Sequence, residues 1–147
     1  AYITQAISEY NSLLKKIPNN LVIKNNLAYM LAIKGENVDK ALNYARQVYE
    51  KVPNNPGYLD TYAFVLYKNG KYDEAYEHLN TAIQQYQEVD AEIPPDVYRH
   101  MGMIQEELGK TEAAVKAYKK ALDVGNGQLA QPRAQEIESA IKGVSNK

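Results

Sequence analysis

The sequence predicts an all-α fold in which antiparallel helix hairpins stack into an α-solenoid, closed by a C-terminal capping helix. The tripeptide Pro-Asn-Asn occurs at residues 18–20 and again at 53–55, thirty-five residues apart. Apolar patterns at helical spacing lie on both sides of Gly35, Gly70 and Gly109. A fixed period of roughly 20 to 50 residues indicates units that stack because none can bury its apolar face alone.

The amino-acid composition argues against several classes of function. The 17 basic and 18 acidic residues give a net charge of −1, and the basic residues do not cluster, which disfavours nucleic-acid binding. No apolar run approaches the roughly 18 residues that span a bilayer, so we expect no direct membrane insertion. The chain has no cysteine, which excludes disulfides and thiol catalysis but is compatible with either redox compartment.

The first predicted element, residues 1–18, is the second helix of a truncated repeat. Ala6, Tyr10 and Leu13 have the spacing of a second helix and precede Pro18. We therefore expect a longer array in the complete protein. The face that a first helix would cover is expected to support self-association, domain exchange or contact with upstream residues.

Three helix-turn-helix repeats are predicted next, at residues 20–53, 55–93 and 95–125. Each first helix carries a small residue that is expected to face an alanine of the second helix, so that the two backbones approach closely. The facing pairs are Ala28 with Ala41, Ala63 with Ala75, and Gly102 with Ala114.

Helix starts are also predicted locally. Asn20 and Asn55 are expected N-caps, and Pro56 and Pro95 stand where a first-turn proline loses no helical hydrogen bond. Residues 130–143 alternate apolar and charged side chains, which predicts a polar-faced capping helix.

These residues resemble the tetratricopeptide repeat. That family's pattern of Trp-x2-Leu-Gly-x2-Tyr followed by Ala-x3-Phe is matched by Leu-x2-Tyr-Ala-x2-Leu at 59–66 and Ala-x3-Leu at 75–79. The departures are the missing Trp, a longer connection over 84–95, and the polar Gln105. The phrase Tyr-Lys-Asn-Gly-Lys-Tyr-Asp-Glu-Ala at 67–75 is similar to repeats of bacterial members. The resemblance implies a right-handed superhelix, with residues 1–147 forming a single domain.

In that family the first helices line a concave groove that holds a protein or peptide partner. The residues that the resemblance places in the partner-binding groove are Asn25, Tyr29, Ile33, Asp60, Phe64, Tyr67, Lys68, Arg99, His100, Met103 and Glu106. The aromatic side chains and Met103 are expected to form an apolar floor, and Asp60 and Arg99 to add charge-assisted hydrogen bonds. For Phe64 and Met103, packing in the core is an equal alternative.

A subgroup of the family grips the carboxyl terminus of chaperone tails with cationic and amide side chains. The corresponding positions here are Asn25, Tyr29, Thr61, Asp96 and His100, which offer no cluster of cations. The resemblance therefore does not extend to a chaperone co-factor role.

No chemical site is predicted. The two histidines, His78 and His100, fall in different repeats, so no metal ligand set is expected, and no cofactor either. Acidic pairs such as 73–74 and 106–107 are expected on solvated faces instead of in a closed pocket. The chain is thus not expected to be an enzyme.

Three functions remain open at this point. The first is an adaptor or scaffold that binds a protein or peptide in the groove. The second is a structural module that forms homo-oligomers through the open N-terminal helix or the convex face, and the third is an arm that presents substrate to a larger enzyme. The expected compartment is the bacterial cytoplasm, the periplasm or the cell envelope.

Overall fold

The computed structural model describes residues 2–125 and 131–146, and this part of the chain forms eight α-helices without a strand. The helices are α1 Tyr2–Lys16, α2 Leu21–Lys34, α3 Val38–Lys51, α4 Pro56–Lys68, α5 Tyr72–Glu88, α6 Pro95–Glu107, α7 Thr111–Val124 and α8 Gln131–Ser145. The all-α helical-repeat class predicted from the sequence is confirmed.

Glycines stand at the turns inside the three hairpins. Gly35, Gly70 and Gly109 each have a φ of 74°, in the left-handed region where a Cβ introduces strain. The turns at Gly35 and Gly109 reverse the chain so that α3 packs on α2 and α7 packs on α6.

Both predicted N-caps are present. The Asn20 side chain accepts a hydrogen bond from the backbone N–H of Ile23 at 2.9 Å, and Asn55 accepts one from Tyr58 at 3.0 Å. Prolines occupy the first turns of α4 and α6, as predicted. These caps fix where α2 and α4 begin because each satisfies a backbone donor that has no partner within its helix.

The predicted small residues are buried at the helix contacts. Each of the five alanines in the three facing pairs has no exposed surface, and Gly102 is buried as well. A Cβ added to Gly102 would lie 2.6 Å from ring carbons of Tyr118, one turn beyond Ala114 on α7. The missing side chain therefore makes room for a tyrosine ring.

The chain divides into two compact units. Unit 1, Ala1–Gln85, holds α1 to α4 and most of α5. Within it, α2 packs against α1, α3 and α4, so α2 and α4 are neighbouring first helices.

Unit 2, Tyr86–Lys147, holds α6, α7 and α8, and α7 packs against both of the others. Its core includes Tyr118, Ile137 and Val144. Helix α8 continues to Ser145, two residues beyond the predicted end, because Val144 is 1% exposed within this core. Residue 130, where the capping helix is predicted to begin, lies outside the described residues. The single-domain assignment and the repeat boundaries stay predictions.

The long connection between α5 and α6 has its own backbone structure. Asp90 has a φ of 52°, and its N–H donates to the carbonyl of Gln87 at 3.1 Å. The carbonyl of Pro94 accepts from the N–H of Val97 at 3.0 Å, which closes the first turn of α6. This connection is the departure from the repeat pattern that the sequence showed.

Candidate functional site

Four aromatic side chains of unit 1, here called the aromatic cluster, lie next to one another on α2, α4 and the start of α5. The rings of Tyr29 and Phe64 are 4.9 Å apart between centroids, and those of Phe64 and Tyr67 are 6.4 Å apart. Tyr72 continues the row at 5.7 Å from Tyr67. The cluster thus links two adjacent first helices through direct ring contacts, of the kind that stabilise by about 0.5–1.5 kcal/mol each.

Exposure separates the members of the aromatic cluster. Phe64 is only 3% exposed, whereas the three tyrosines are partly exposed. The Nζ of Lys68, an exposed residue, lies 5.8 Å from the centroid of the Phe64 ring. Phe64 therefore packs beneath the tyrosines, which is the alternative that the sequence left open for this residue, and its contact with a partner stays a prediction.

Asn25, Ile33 and Asp60 lie on the same two helices and are each partly buried. The Asn25 amide donates to the side-chain oxygen of Asn26 at 3.4 Å, and Asn26 donates to the Tyr10 hydroxyl at 3.4 Å. The side-chain oxygen of Asn25, Oδ1, is buried without a hydrogen-bond partner among the described residues. An unmet buried acceptor of this kind costs about 1–3 kcal/mol, which a suitable donor would recover.

In unit 2, the Arg99 guanidinium is held by its own helix. Its Nε donates to Asp96 Oδ1 at 3.1 Å, and one Nη donates to the Met103 sulfur at 3.4 Å. The other Nη lies 3.4 Å from His100 Nε2, which accepts only if that ring nitrogen is unprotonated. The Arg99 side chain keeps 14% of its surface exposed.

The other predicted residues of α6 differ in their exposure. His100 is 2% exposed, so in this structure it presents almost no surface to a partner, and its assignment to the groove surface is corrected. Glu106 accepts a hydrogen bond from the Tyr118 hydroxyl at 3.0 Å. Met103 packs partly buried against the core of unit 2.

The structure thus brings Asn25, Tyr29, Ile33, Asp60, Phe64, Tyr67 and Lys68 onto α2 and α4 of unit 1, and Arg99, His100, Met103 and Glu106 onto α6 of unit 2. The residues predicted for the groove did not include Tyr72, which begins α5. The available signal was the pair of tyrosines flanking the turn at 67–72, which the reversal of the chain brings together.

A second aromatic group in unit 1 contains His78. The rings of Tyr49 and Tyr62 stack at 5.3 Å, and the imidazole lies 5.3 Å from the first and 5.0 Å from the second. Burial lowers the pKa of His78 below its ordinary value of 6.5, although Glu74 and Glu77 oppose the shift. A hydrogen bond with Tyr62 raises the pKa of Arg46.

The described parts of the chain, residues 2–125 and 131–146, provide neither a metal ligand set nor a membrane-spanning helix. No group of three His, Asp or Glu side chains there is placed to hold a metal ion. Within the same ranges, no helix has both the length and the apolar character needed to cross a bilayer.

Comparisons with known proteins agree with this architecture. Residues 56–126 match the family model of the tetratricopeptide repeat. No curated protein sequence matches the chain significantly. Solved structures with the same fold are numerous, and three are described below.

A tetratricopeptide-repeat protein from Parabacteroides merdae superposes with a TM-score of 0.75 at 16% identity, covering 97% of this chain and 51% of its own. A thermophilic protein of the same kind from Thermus thermophilus gives 0.70 at 15% identity, covering 99% and 74%. The first repeat domain of Spaghetti (RPAP3), bound to the HSP90 peptide SRMEEVD, gives 0.66 at 18% identity, covering 86% and 90%. Residues 56–126 are tetratricopeptide repeats by their match to that family's model, and the chain as a whole has the fold of these solved repeat structures.

Proposed function

We propose that the chain is a non-catalytic protein-interaction module that binds a peptide segment on the face formed by α2 and α4. The observation that carries the proposal is the aromatic cluster, in which partly exposed tyrosines surround a buried Phe64 on adjacent first helices. Tyrosine provides a large and rigid contact area at low entropic cost, which is why it is enriched at binding hot spots. The similar fold solved with an HSP90 peptide supports a peptide as the class of ligand.

The bound segment is proposed to be internal to its protein instead of a chain terminus. Gripping a terminal carboxylate requires cationic side chains on the first helices. Here Thr61 and His100, at two of the positions where the chaperone-binding subgroup holds its ligand, are 6% and 2% exposed. An internal segment needs no such grip, because its apolar side chains can pack on the exposed parts of the tyrosines.

Lys68 and Asp60 give this face a charge of each sign. Lys68 stands over the Phe64 ring at 5.8 Å, and Asp60 lies on the same helix, two turns away. We propose that an apolar side chain of the ligand lies on the tyrosines and that an acidic neighbour pairs with Lys68. Phe64 contributes to this face by packing beneath the tyrosines. For Arg99, Met103 and Glu106 of unit 2, a role in partner binding stays a prediction from the sequence.

The proposal is tested with peptides selected on the immobilised chain from a random display library. Tyr67→Ala and Lys68→Glu are each expected to raise the Kd of the selected peptides about tenfold, as loss of a hot-spot contact does. Isothermal titration calorimetry gives the Kd values, and circular dichroism checks that the variants keep their helices.

Matched controls exist on α3. Tyr44 is a partly exposed tyrosine with Lys40 at 5.6 Å from its ring, which reproduces the pairing of Lys68 with Phe64 away from α2 and α4. Tyr44→Ala and Lys40→Glu are expected to leave the Kd unchanged. Equal losses in both sets, or losses only in the α3 set, would place binding elsewhere.

Self-association through α1 is a second candidate, favoured by exposed apolar side chains. The exposed fractions are 77% for Tyr2, 42% for Leu13, 51% for Ile17 and 54% for Val22. Val48, which stands thirty-five residues after Leu13 in the equivalent second helix, has no exposed surface. A second copy that pairs its α1 with this one would cover the same patch on both molecules.

Sedimentation equilibrium measures the mass of the chain in solution and so tests whether it self-associates through α1. Wild-type chain is expected to show a mass that rises with concentration, and Leu13→Glu is expected to restore the monomer because it places a charge in the patch. A wild-type monomer at all concentrations would exclude this candidate and leave the peptide-binding proposal untouched.

A further inference from the structure

A cavity of about 460 Å³ opens on unit 2 beside the long connection between α5 and α6. Its lining residues are Glu92, Ile93, Pro94, Pro95, Tyr98 and Val124. Five of these six side chains are apolar or aromatic, and the volume is within the range of ligand pockets. The cavity belongs to unit 2 alone and shares no residue with the α2–α4 face.

The departure from the repeat pattern builds this cavity. The connection turns at Asp90, whose φ is 52°, and then runs to α6 through Ile93 and two consecutive prolines. Proline fixes its own φ and disfavours helix in the residue before it, so this wall is held extended and stiff. A connection as short as those of the other repeats would lack the residues that form the wall.

Two lysines of α7 lie beyond the cavity, on the helix face that carries Val124. Lys120 holds its Nζ 5.0 Å from the centroid of the Tyr98 ring. Lys116, Lys120 and Val124 are spaced at i, i+4 and i+8, so they lie on one face of the helix. Both lysines are exposed, and neither forms a salt bridge with a described residue.

We propose that the cavity and these two lysines form a second peptide-binding site, whose occupant is an extended segment with an apolar residue followed by acidic residues at the second and fourth positions. The apolar side chain fills the cavity, and the two carboxylates pair with Lys120 and then Lys116. The site is independent of the proposed function of the α2–α4 face.

The spacing follows from the geometry of helices and strands. Along α7, Lys120 is about 6 Å and Lys116 about 12 Å from Val124, at 1.5 Å per residue. An extended peptide advances about 3.3 Å per residue and points every second side chain to the same side. Its second and fourth residues after the anchor therefore reach about 6.6 and 13 Å, which matches the two lysines.

Glu92 sets the side on which the acidic residues lie. Its carboxylate is on the connection, at the rim of the cavity, so acidic residues extending past the connection would be repelled. The carboxylates consequently lie along α7. A basic residue before the anchor would pair with Glu92.

The test uses two labelled peptides, one containing Leu-Ser-Glu-Ser-Glu and the other Leu-Ser-Lys-Ser-Lys, and fluorescence anisotropy. The double variant Lys116→Glu/Lys120→Glu is expected to bind the acidic peptide at least about tenfold more weakly and the basic peptide more tightly than wild type does. The control variant Lys119→Glu/Lys142→Glu changes the charge of unit 2 equally on exposed residues and is expected to behave as wild type.

The apolar anchor is tested separately. Val124 is 37% exposed, so the Val124→Asp variant is expected to fold. The charge at the cavity is expected to raise the Kd of the acidic peptide about tenfold. Tyr67→Ala, which disables the α2–α4 face, is expected to leave this binding unchanged. Absence of binding by wild type up to about 1 mM, or equal losses in the two lysine double variants, would overturn the proposal.

Discussion

The tightest constraint on a single residue lies where Gly102 meets Tyr118. A Cβ at residue 102 would lie 2.6 Å from the ring, and the ring cannot retreat easily because its hydroxyl donates to Glu106 at 3.0 Å and its body is 2% exposed. The sequence indicated a small residue here but named Ala114 as its partner. Which of two residues one turn apart fills the space depends on side-chain packing, which periodicity does not encode.

Gly102→Ala is expected to destabilise the chain by about 1–3 kcal/mol, because overpacking forces the Tyr118 ring or the backbone to move. Gly143 provides the control, since a Cβ there meets nothing within 4 Å. Gly143→Ala is expected to stabilise by up to about 1 kcal/mol through helix propensity. Urea denaturation of both variants measures the free energies of unfolding, and equal effects at the two positions would contradict the packing argument.

His78 is expected to make stability depend on pH. Because burial lowers its pKa in the folded chain, the unfolded chain binds the proton more readily, with an ordinary pKa of about 6.5. The stabilising contribution of the neutral imidazole is present above that pH and is lost as the pH falls through the lower folded value.

His78→Phe keeps an aromatic ring beside Tyr49 and Tyr62 but cannot titrate. Between about pH 7.5 and pH 5, the urea midpoint of wild type is expected to fall more than that of the variant. Parallel curves for the two proteins would show that His78 does not contribute.

The first residues of helices are set by local chemistry, and the sequence predicted several of them correctly. Asn20 and Asn55 cap α2 and α4 as predicted, and Pro56 and Pro95 occupy first turns. The last residues of helices were harder to predict from the sequence, because they depend on tertiary contacts. Helix α8 continues past the predicted residue 143 since Val144 reaches the core of unit 2.

Asn55→Ala is expected to destabilise the chain by about 1 kcal/mol, because the N–H of Tyr58 loses its acceptor. Asn37 precedes α3 in the left-handed region, with a φ of 50°, and its side chain makes no cap. Asn37→Gly is therefore expected to be neutral or slightly stabilising. Thermal unfolding compares the two, and a larger loss at Asn37 would contradict the assignment of the caps.

The whole molecule offers two proposed peptide sites of different character, one on each unit. The α2–α4 face relies on aromatic contacts, whereas the cavity on unit 2 relies on two exposed lysines. Salt screens exposed charges over about 10 Å at 0.1 M, but it leaves apolar contacts intact.

Raising the NaCl concentration from about 50 mM to about 500 mM is expected to raise the Kd of the acidic peptide for unit 2 several-fold. Peptides selected through the α2–α4 face are expected to lose less affinity under the same conditions, because only one lysine, Lys68, pairs with the ligand there and the aromatic contacts are insensitive to salt. Anisotropy titrations at both salt concentrations measure this, and equal salt dependence would show that the two faces use the same kind of contact.

The amino-acid pattern by itself determined the repeat, the helical class, the turn glycines and the residues on first helices. These follow from periodicity and from backbone preferences, which act between residues close in the sequence. Only the tertiary structure decided that Phe64 and His100 are buried, that Tyr72 joins the aromatic cluster, and that the long connection forms a cavity with Val124. Those properties depend on which side chains meet across different helices, and helical spacing defines a face without saying what covers it.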